Sequence, residues 1–255
     1  MDFGLSGKVA IVTGCASPKG IGNAIARALS EEGVKLLVTD VLADGIEQLA
    51  RDLCSDGYDA VAVAGDQRVA DDVQAVVLAA VEQFGSVDLL INAAALTNNL
   101  GSIANMSPEK WRNEIDVSLT GPYMWIRESA PYMKKNQWGR ILNISSTNSL
   151  YGQKGVPAYV AAKGGLNALT KQAAREYAHC GITCNSLVLG VVATGIYEDN
   201  GFDPEVLRDM ISRVPVGRMG LPDEIGAMAV FACSEQAAFM TGELITIDGG
   251  LSVSA

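Results

Sequence analysis

The sequence predicts a single α/β domain: a doubly wound parallel sheet of about seven strands with helices on both faces. Three observations predict it. Short apolar runs alternate with segments of helical periodicity from end to end. A glycine-rich turn follows the first apolar run and opens a helix, as where a parallel sheet receives a phosphate. Finally, the 255 residues are 49% hydrophobic and 19% charged, enough to bury the core of one such domain.

The elements follow in order. Lys8-Val9-Ala10-Ile11-Val12-Thr13 is a first strand ending at Gly14. Gly14, Gly20 and Gly22 bracket a loop, and the helix begins near Asn23. Val34 to Thr39 is a second strand closed by Asp40. Asp44 to Leu53 reads as a helix, and Ala60 to Ala64 as a third strand with Asp66 after it. Val73, Val76, Val77, Ala80, Val81 and Phe84 recur at helical spacing. Val87 to Asn92 is a fourth strand, followed by Ala93-Ala94-Ala95, whose small side chains leave room for a flat ligand. Ser107-Pro108 caps a long helix running to about Lys135, with a bend expected at Gly121-Pro122. Ile141 to Ile144 is a strand, and Ala158 to Thr170 a small-residue helix. Ile182 to Leu187, Asp203-Pro204, Asp223 to Cys233 and Leu244 to Asp248 supply a strand, a helix start, a helix and a last strand. No linker, repeat or low-complexity tract interrupts the chain.

The net charge of -10 excludes the basic footprint of a nucleic-acid binder and disfavours an anionic membrane surface. Met1 to Gly7 carries no basic region, Val9 to Val12 is too short for a signal core, and no stretch approaches a membrane span. Five scattered cysteines (15, 54, 180, 184 and 233) read as reduced thiols, so the expected location is the cytoplasm. Cys180-x3-Cys184 beside His179 has no second cluster to complete a tetrahedron. Helix-end packing is the reading there, and no metal is expected.

Chemistry concentrates in two stretches. Tyr159 and Lys163 stand four apart on a helix and so share a face, while Ser145 and Ser146 end the preceding strand. A free phenol titrates near ~10, and a neighbouring ammonium favours the phenolate. A serine hydroxyl can hold a substrate oxygen beside it. The second stretch is the glycine loop. Asp40 lies 18 residues after Gly22, placed to accept from the adenosine ribose hydroxyls and to repel a 2′-phosphate, which favours NAD over NADP. Lys19 pulls the other way, because it can pair with that phosphate.

With these residues the chain resembles the short-chain dehydrogenase/reductase family, in its single-domain Rossmann-type form, over essentially its whole length. Thr13-Gly14 with Gly20-Ile21-Gly22 is similar to the cofactor motif, Asp66 to the adenine contact, and Asn92-Ala93-Ala94-Ala95 to the Asn-Asn-Ala-Gly turn. Ser146 precedes Tyr159 by thirteen residues, the family spacing, and so is preferred to Ser145. Asn185 to Thr194 resembles the segment that holds the nicotinamide carboxamide, with Thr194 as a contact. Gly217-Arg218-Met219-Gly220 and Thr241-Gly242 with Asp248-Gly249-Gly250 are similar to C-terminal landmarks.

The resemblance implies hydride transfer between a nicotinamide and an alcohol/ketone pair. Tyr159 would be general acid/base, Lys163 would lower its pKa and bond the nicotinamide ribose, and Ser146 would orient the substrate. It also implies a homotetramer, with the Trp111 and Tyr159 helices in one interface. Four departures stand out. Five residues (Cys15 to Lys19) separate Gly14 from Gly20 where three are usual. Ala93 replaces a second Asn. Ser118 stands in place of the Asn linked to the lysine. Leu189 replaces a proline before Gly190.

The preferred reading is an NAD(H)-dependent oxidoreductase of a hydroxylated small molecule: a sugar, polyol or hydroxy acid. The alternatives are an NADPH-dependent reductase of a ketone or 3-oxoacyl thioester, motivated by Lys19, and a weakly catalytic nicotinamide-binding sensor, motivated by Ser118 and Leu189. The pocket walls are expected at Ala95 to Asn99, Thr147 to Gly152 and Gly190 to Met210, with a lid at about residues 190–215.

Overall fold

The computed structural model describes residues 2–96, 99–195 and 203–253. Seven strands form one parallel sheet in the order β3-β2-β1-β4-β5-β6-β7. They are β1 Val9–Thr13, β2 Lys35–Thr39, β3 Ala60–Ala62, β4 Leu89–Asn92, β5 Gly139–Ser146, β6 Ile182–Leu189 and β7 Leu244–Ile247. The helices are α1 Ile21–Glu31, α2 Ala43–Ser55, α3 Ala70–Phe84, α4 Pro108–Ile115, α5 Gly121–Asn136, α6 Asn148–Tyr151, α7 Pro157–Tyr177, α8 Pro204–Ser212 and α9 Pro222–Cys233.

Strand alternation separates two apolar layers. Ala10 and Val12 of β1, Leu36 and Val38 of β2, and Leu89 and Ile91 of β4 face α1, α2 and α9, where Ile25, Leu29, Ile46, Leu49 and Ile225 meet them. The intervening Ile11, Leu37 and Leu90 face the other way, onto Val73 and Val76 of α3 and Trp125 and Met133 of α5. Both layers are dry, which is why the strands read as unbroken apolar runs.

Pairing fixes where the ligand edge lies. Val9 to Thr13 pair in step with Lys35 to Thr39, while Ala10 pairs with Leu89 on the other side. The strand order therefore reverses between β1 and β4, and a crevice opens beyond their carboxyl ends. β5 and β6 pair over their full length, from Gly139–Ile182 to Ser146–Leu189, and carry Ser145 and Ser146 to the same edge.

The structure corrects several expected boundaries. β3 ends at Ala62 rather than Ala64, whereas β5 and β6 extend beyond the apolar runs read for them. α7 runs on to Tyr177. One-turn helix α6, unread in the sequence, follows β5. The long Trp111 helix is not merely bent at Gly121-Pro122. It is interrupted before that point by a π turn, Asp116–Thr120. Pro122 has no N–H for the carbonyl of Ser118 four residues back, so the regular ladder cannot close there. Gln67 occupies the gap: its Nε2 donates to the Val117 carbonyl at 2.6 Å, and its Oε1 accepts from the Trp125 indole at 3.0 Å. Gly121 permits this approach, since a Cβ there would lie 2.7 Å from Gln67 Cγ.

Candidate active site

A cleft of about 490 Å³ runs along the carboxyl edge of the sheet. Its lining brings together Gly14, Gly20, Ile21, Gly22, Asp40 and Asp66 at one end and Ser145, Ser146, Tyr159, Lys163 and Thr194 at the other. Residues spread over most of the sequence thus meet because each follows the end of a parallel strand or starts the next helix.

The glycine loop is built for close approach. Gly14 adopts φ +71°, and a Cβ on it would lie 2.7 Å from the Ala94 backbone; one on Gly22 would lie 2.4 Å from the Gly14 carbonyl. Thr13 Oγ1 accepts from the amides of Ala93 and Ala94 at 3.1 and 3.0 Å, tying the end of β1 to the turn after β4. α1 begins at Gly20 with no side-chain cap and no acidic residue in its first turn. Its first amides are open to an anion. The two extra loop residues do not disturb this. The loop turns inward, with the Cys15 thiol buried against the Val12 carbonyl and the Asn23 amide donating to the Cys15 carbonyl.

Asp40 lines the cleft, accepting from the amides of Ala16 at 3.1 Å and Leu42 at 3.2 Å. Lys19 is exposed and is not among the cleft-lining residues. Asp66 also lines it, but its carboxylate is gripped by Arg68, whose Nε lies 3.0 Å from both oxygens. That hydrogen bond outweighs the opposing effect of burial and holds Asp66 below the usual carboxylate range. Arg68 was not singled out from the sequence; its second partner, Asn113, lies far along the chain at 2.7 Å. Asn92 lies under the cleft, donating to Asn143 Oδ1 at 2.8 Å.

At the reacting end, Ser146 Oγ accepts from the Asn148 amide at 3.2 Å. Lys163 is buried, with Nζ donating to the Ile144 carbonyl at 2.7 Å and lying 5.7 Å from the Tyr159 ring centroid. Burial lowers its pKa to about 8, opposed by the charge of Glu114. Ser129 Oγ on α5 is buried without a hydrogen-bond partner, as are Thr39 Oγ1, Asn92 Oδ1 and Ser145 Oγ. These last three stand at carboxyl ends of strands. Orphaned polar atoms are rare in native interiors, so their gathering at this edge, beside the glycine cradle and the uncapped helix, fits an extended polar ligand such as a dinucleotide.

Ser118 does not open on the cleft. It is fully buried; its hydroxyl donates to Glu114 Oε1 at 2.7 Å and accepts from the Leu96 amide at 3.3 Å. Two polar residues of the expected walls are engaged by other side chains. Asn99 donates to Glu114, and Thr147 accepts from the Tyr151 hydroxyl. Asn98, and residues 196–202 of the expected lid, lie outside the described residues. Arg208 and Arg213 pair with Glu205 and Asp209 on α8. Cys180 and Cys184 are buried free thiols. Among the described residues no helix is long and apolar enough to cross a membrane.

Comparison with known proteins agrees with this geometry. Residues 14–252 match the family described as Enoyl-(Acyl carrier protein) reductase. The chain is 33% identical to the 3-oxoacyl-[acyl-carrier-protein] reductase FabG of Staphylococcus aureus, over 96% of this chain and 98% of that protein. It is 37% identical to the oxidoreductase UcpA of Salmonella typhimurium, over 96% and 95%. It is 35% identical to the cis-4-hydroxycyclohexanecarboxylate dehydrogenase of Sinomonas cyclohexanicum, over 95% and 96%. A crystal structure of gox2181 superimposes with a TM-score of 0.92 at 30% identity, covering 97% of this chain and 96% of that one. The chain belongs to the short-chain dehydrogenase/reductase family, oxidoreductases that use a nicotinamide cofactor.

Proposed function

We propose that the protein transfers a hydride between NAD(H) and a secondary alcohol/ketone pair of a hydroxylated small molecule: a sugar, polyol or hydroxy acid. The observation that carries this is the convergence of Ser146, Tyr159 and Lys163 on one cleft whose other end presents Asp40. The open amides of α1 receive the pyrophosphate, and Asp40 accepts from the adenosine ribose hydroxyls. Asp66 would meet the adenine and Thr194 the nicotinamide carboxamide, both from the cleft lining. When bound, the nicotinamide supplies the hydride acceptor or donor.

This chain's own residues handle the proton. Ser146 orients the substrate oxygen. Tyr159 takes the hydroxyl proton in oxidation and returns it in reduction, and the Lys163 ammonium favours its phenolate form. The hydroxy-acid option draws support from the activity for which the Sinomonas relative is named. Gly190, Val192, Thr194 and Gly195 line the cleft at the start of the proposed lid, whose residues 196–202 lie outside the described residues. The reading includes a cytoplasmic homotetramer; free thiols fit the first, and the half-exposed Trp111 and Tyr123 of α4 and α5 fit the second.

A second reading is a 3-oxoacyl thioester reductase working with NADPH, favoured by the name of the Staphylococcus relative and by Lys19. Parallel titration of the purified protein with NADH and NADPH, followed by nicotinamide fluorescence, separates the two. Tighter NADH binding with NAD-dependent oxidation of hydroxy acids or polyols supports the first. Tighter NADPH binding with reduction of acyl thioesters establishes the second. A sensor with little catalysis would bind cofactor and turn over neither panel.

A further inference from the structure

Helix α4 carries a side chain that hydride transfer does not by itself explain. Glu114 is 0% exposed. A carboxylate stripped of water needs partners to remain charged, and two are supplied: Ser118 Oγ at 2.7 Å and Asn99 Nδ2 at 3.1 Å. Ser118 is fixed in turn by the Leu96 amide. α4 packs on α7, the helix that carries the likewise buried Lys163. Burial raises the Glu114 carboxyl above its usual range, against the opposing pull of Ser118, Asn99 and the Lys163 charge, and the Glu114 charge in turn favours the Lys163 ammonium.

The remaining charged groups on the packed elements face water. Lys110 and Arg112 of α4, Asp116 of the π turn, and Lys171, Arg175 and Glu176 of α7 are all exposed. Tyr159, half-buried, is the other titratable group beside Lys163.

We infer that Glu114 is a positioning residue of the active site: the buried counter-charge of the Lys163 ammonium, held by Ser118 and Asn99. The role rests on Tyr159 and Lys163 being the proton-transfer pair. It also accounts for serine at position 118. A hydroxyl is short enough to donate to the carboxylate from one helical turn away, where a longer amide would compete for the same space.

The sign of the effect is fixed. Burial lowers the proton affinity of Lys163, and the Glu114 charge raises it. Removing that charge makes Lys163 give up its proton at lower pH, and the ammonium that favours the Tyr159 phenolate disappears sooner.

The test is a lysine NMR titration of the full, cofactor-free protein carrying 13C-labelled lysine, with the Lys163 signal assigned through Lys163→Met. In Glu114→Gln the Lys163 midpoint falls by on the order of one pH unit. In Glu114→Asp, which keeps the charge, it stays nearer to wild type. The alkaline limb of kcat/KM moves the same way. Should Glu114→Gln fail to fold, Ser118→Ala is the second variant. It removes a donor that favours the ionised carboxylate, so it moves the midpoint in the same direction by less. An unmoved Lys163 midpoint in the folded variants overturns the role, even if activity falls. A wild-type protein inert with both cofactors would count against hydride transfer alone, because the titration is read without cofactor.

Discussion

The backbone N–H of Ala16 donates to Asp40 Oδ2 at 3.1 Å, so the lengthened glycine loop is tied to the end of β2 by the residue that would read the ribose. Cys15 and Ala16 fold inward, Ser17 to Lys19 stay exposed, and α1 is left without a side-chain cap. Replacing the charge while keeping an acceptor isolates the electrostatic part. Asp40→Asn is expected to shift the ratio of NADH to NADPH affinity toward NADPH by about tenfold or more, because the repulsion against a 2′-phosphate is gone. Parallel fluorescence titrations of wild type and variant measure it, and an unchanged ratio would leave Asp40 without a role in cofactor choice.

Tyr159→Phe keeps the ring and removes the phenol. If Tyr159 is the general acid/base, kcat falls on the order of 10²–10⁴-fold while cofactor affinity holds. Wild-type turnover by the variant would remove Tyr159 from the mechanism.

Lys163 makes stability depend on pH in the direction opposite to an ion-paired lysine, whose pKa is raised on folding. Its pKa is about 8 in the folded protein, lowered chiefly by burial from a reference of 10.5. Between these values the unfolded chain binds more protons, so stability rises with pH across that window and the penalty is fully present below it. Lys163→Met abolishes this rise, which amounts to on the order of 3 kcal/mol. Denaturant midpoints of wild type and variant, compared across the window, show it; parallel curves for the two would contradict the assignment.

Gln67→Leu tests the wedge beside the π turn. It leaves the buried Trp125 indole N–H and the Val117 carbonyl without partners. The expected loss is on the order of 2–4 kcal/mol, read as a lower Tm. A Tm within a degree or so of wild type, small against the shift one kcal/mol produces, would mean that the π turn stands without Gln67.

Of five free thiols only Cys54 is exposed. Burial pushes those of Cys15 and Cys184 above the ordinary range and Cys233 to about 12. A thiol reagent is therefore expected to label the native protein once, at Cys54, and Cys54→Ser to abolish rapid labelling. Rapid modification of a second cysteine would contradict the packing of the core.

The parallel sheet, most of its strands and the meeting of Tyr159 with Lys163 were legible in the sequence because they depend on local pattern. Doubly buried strands are continuous apolar runs, and residues four apart on a helix share a face whatever surrounds them. Gly14, Gly22 and Asp40 were legible for a similar reason, since a turn and a strand end constrain them locally.

What only the tertiary structure decided involves partners distant in the chain. Arg68 with Asn113, Gln67 under the π turn, and Glu114 with Asn99 lie far apart along the chain and have no spacing that marks them. Glu114 in the sequence is an unremarkable helix carboxylate. It becomes a buried charge because α4 is laid across α7, and folding alone sets how much water each side chain keeps. Local periodicity records which face of an element is apolar. It does not record which charged groups the packing of those faces will bring together, and that placement determines the electrostatics of the site.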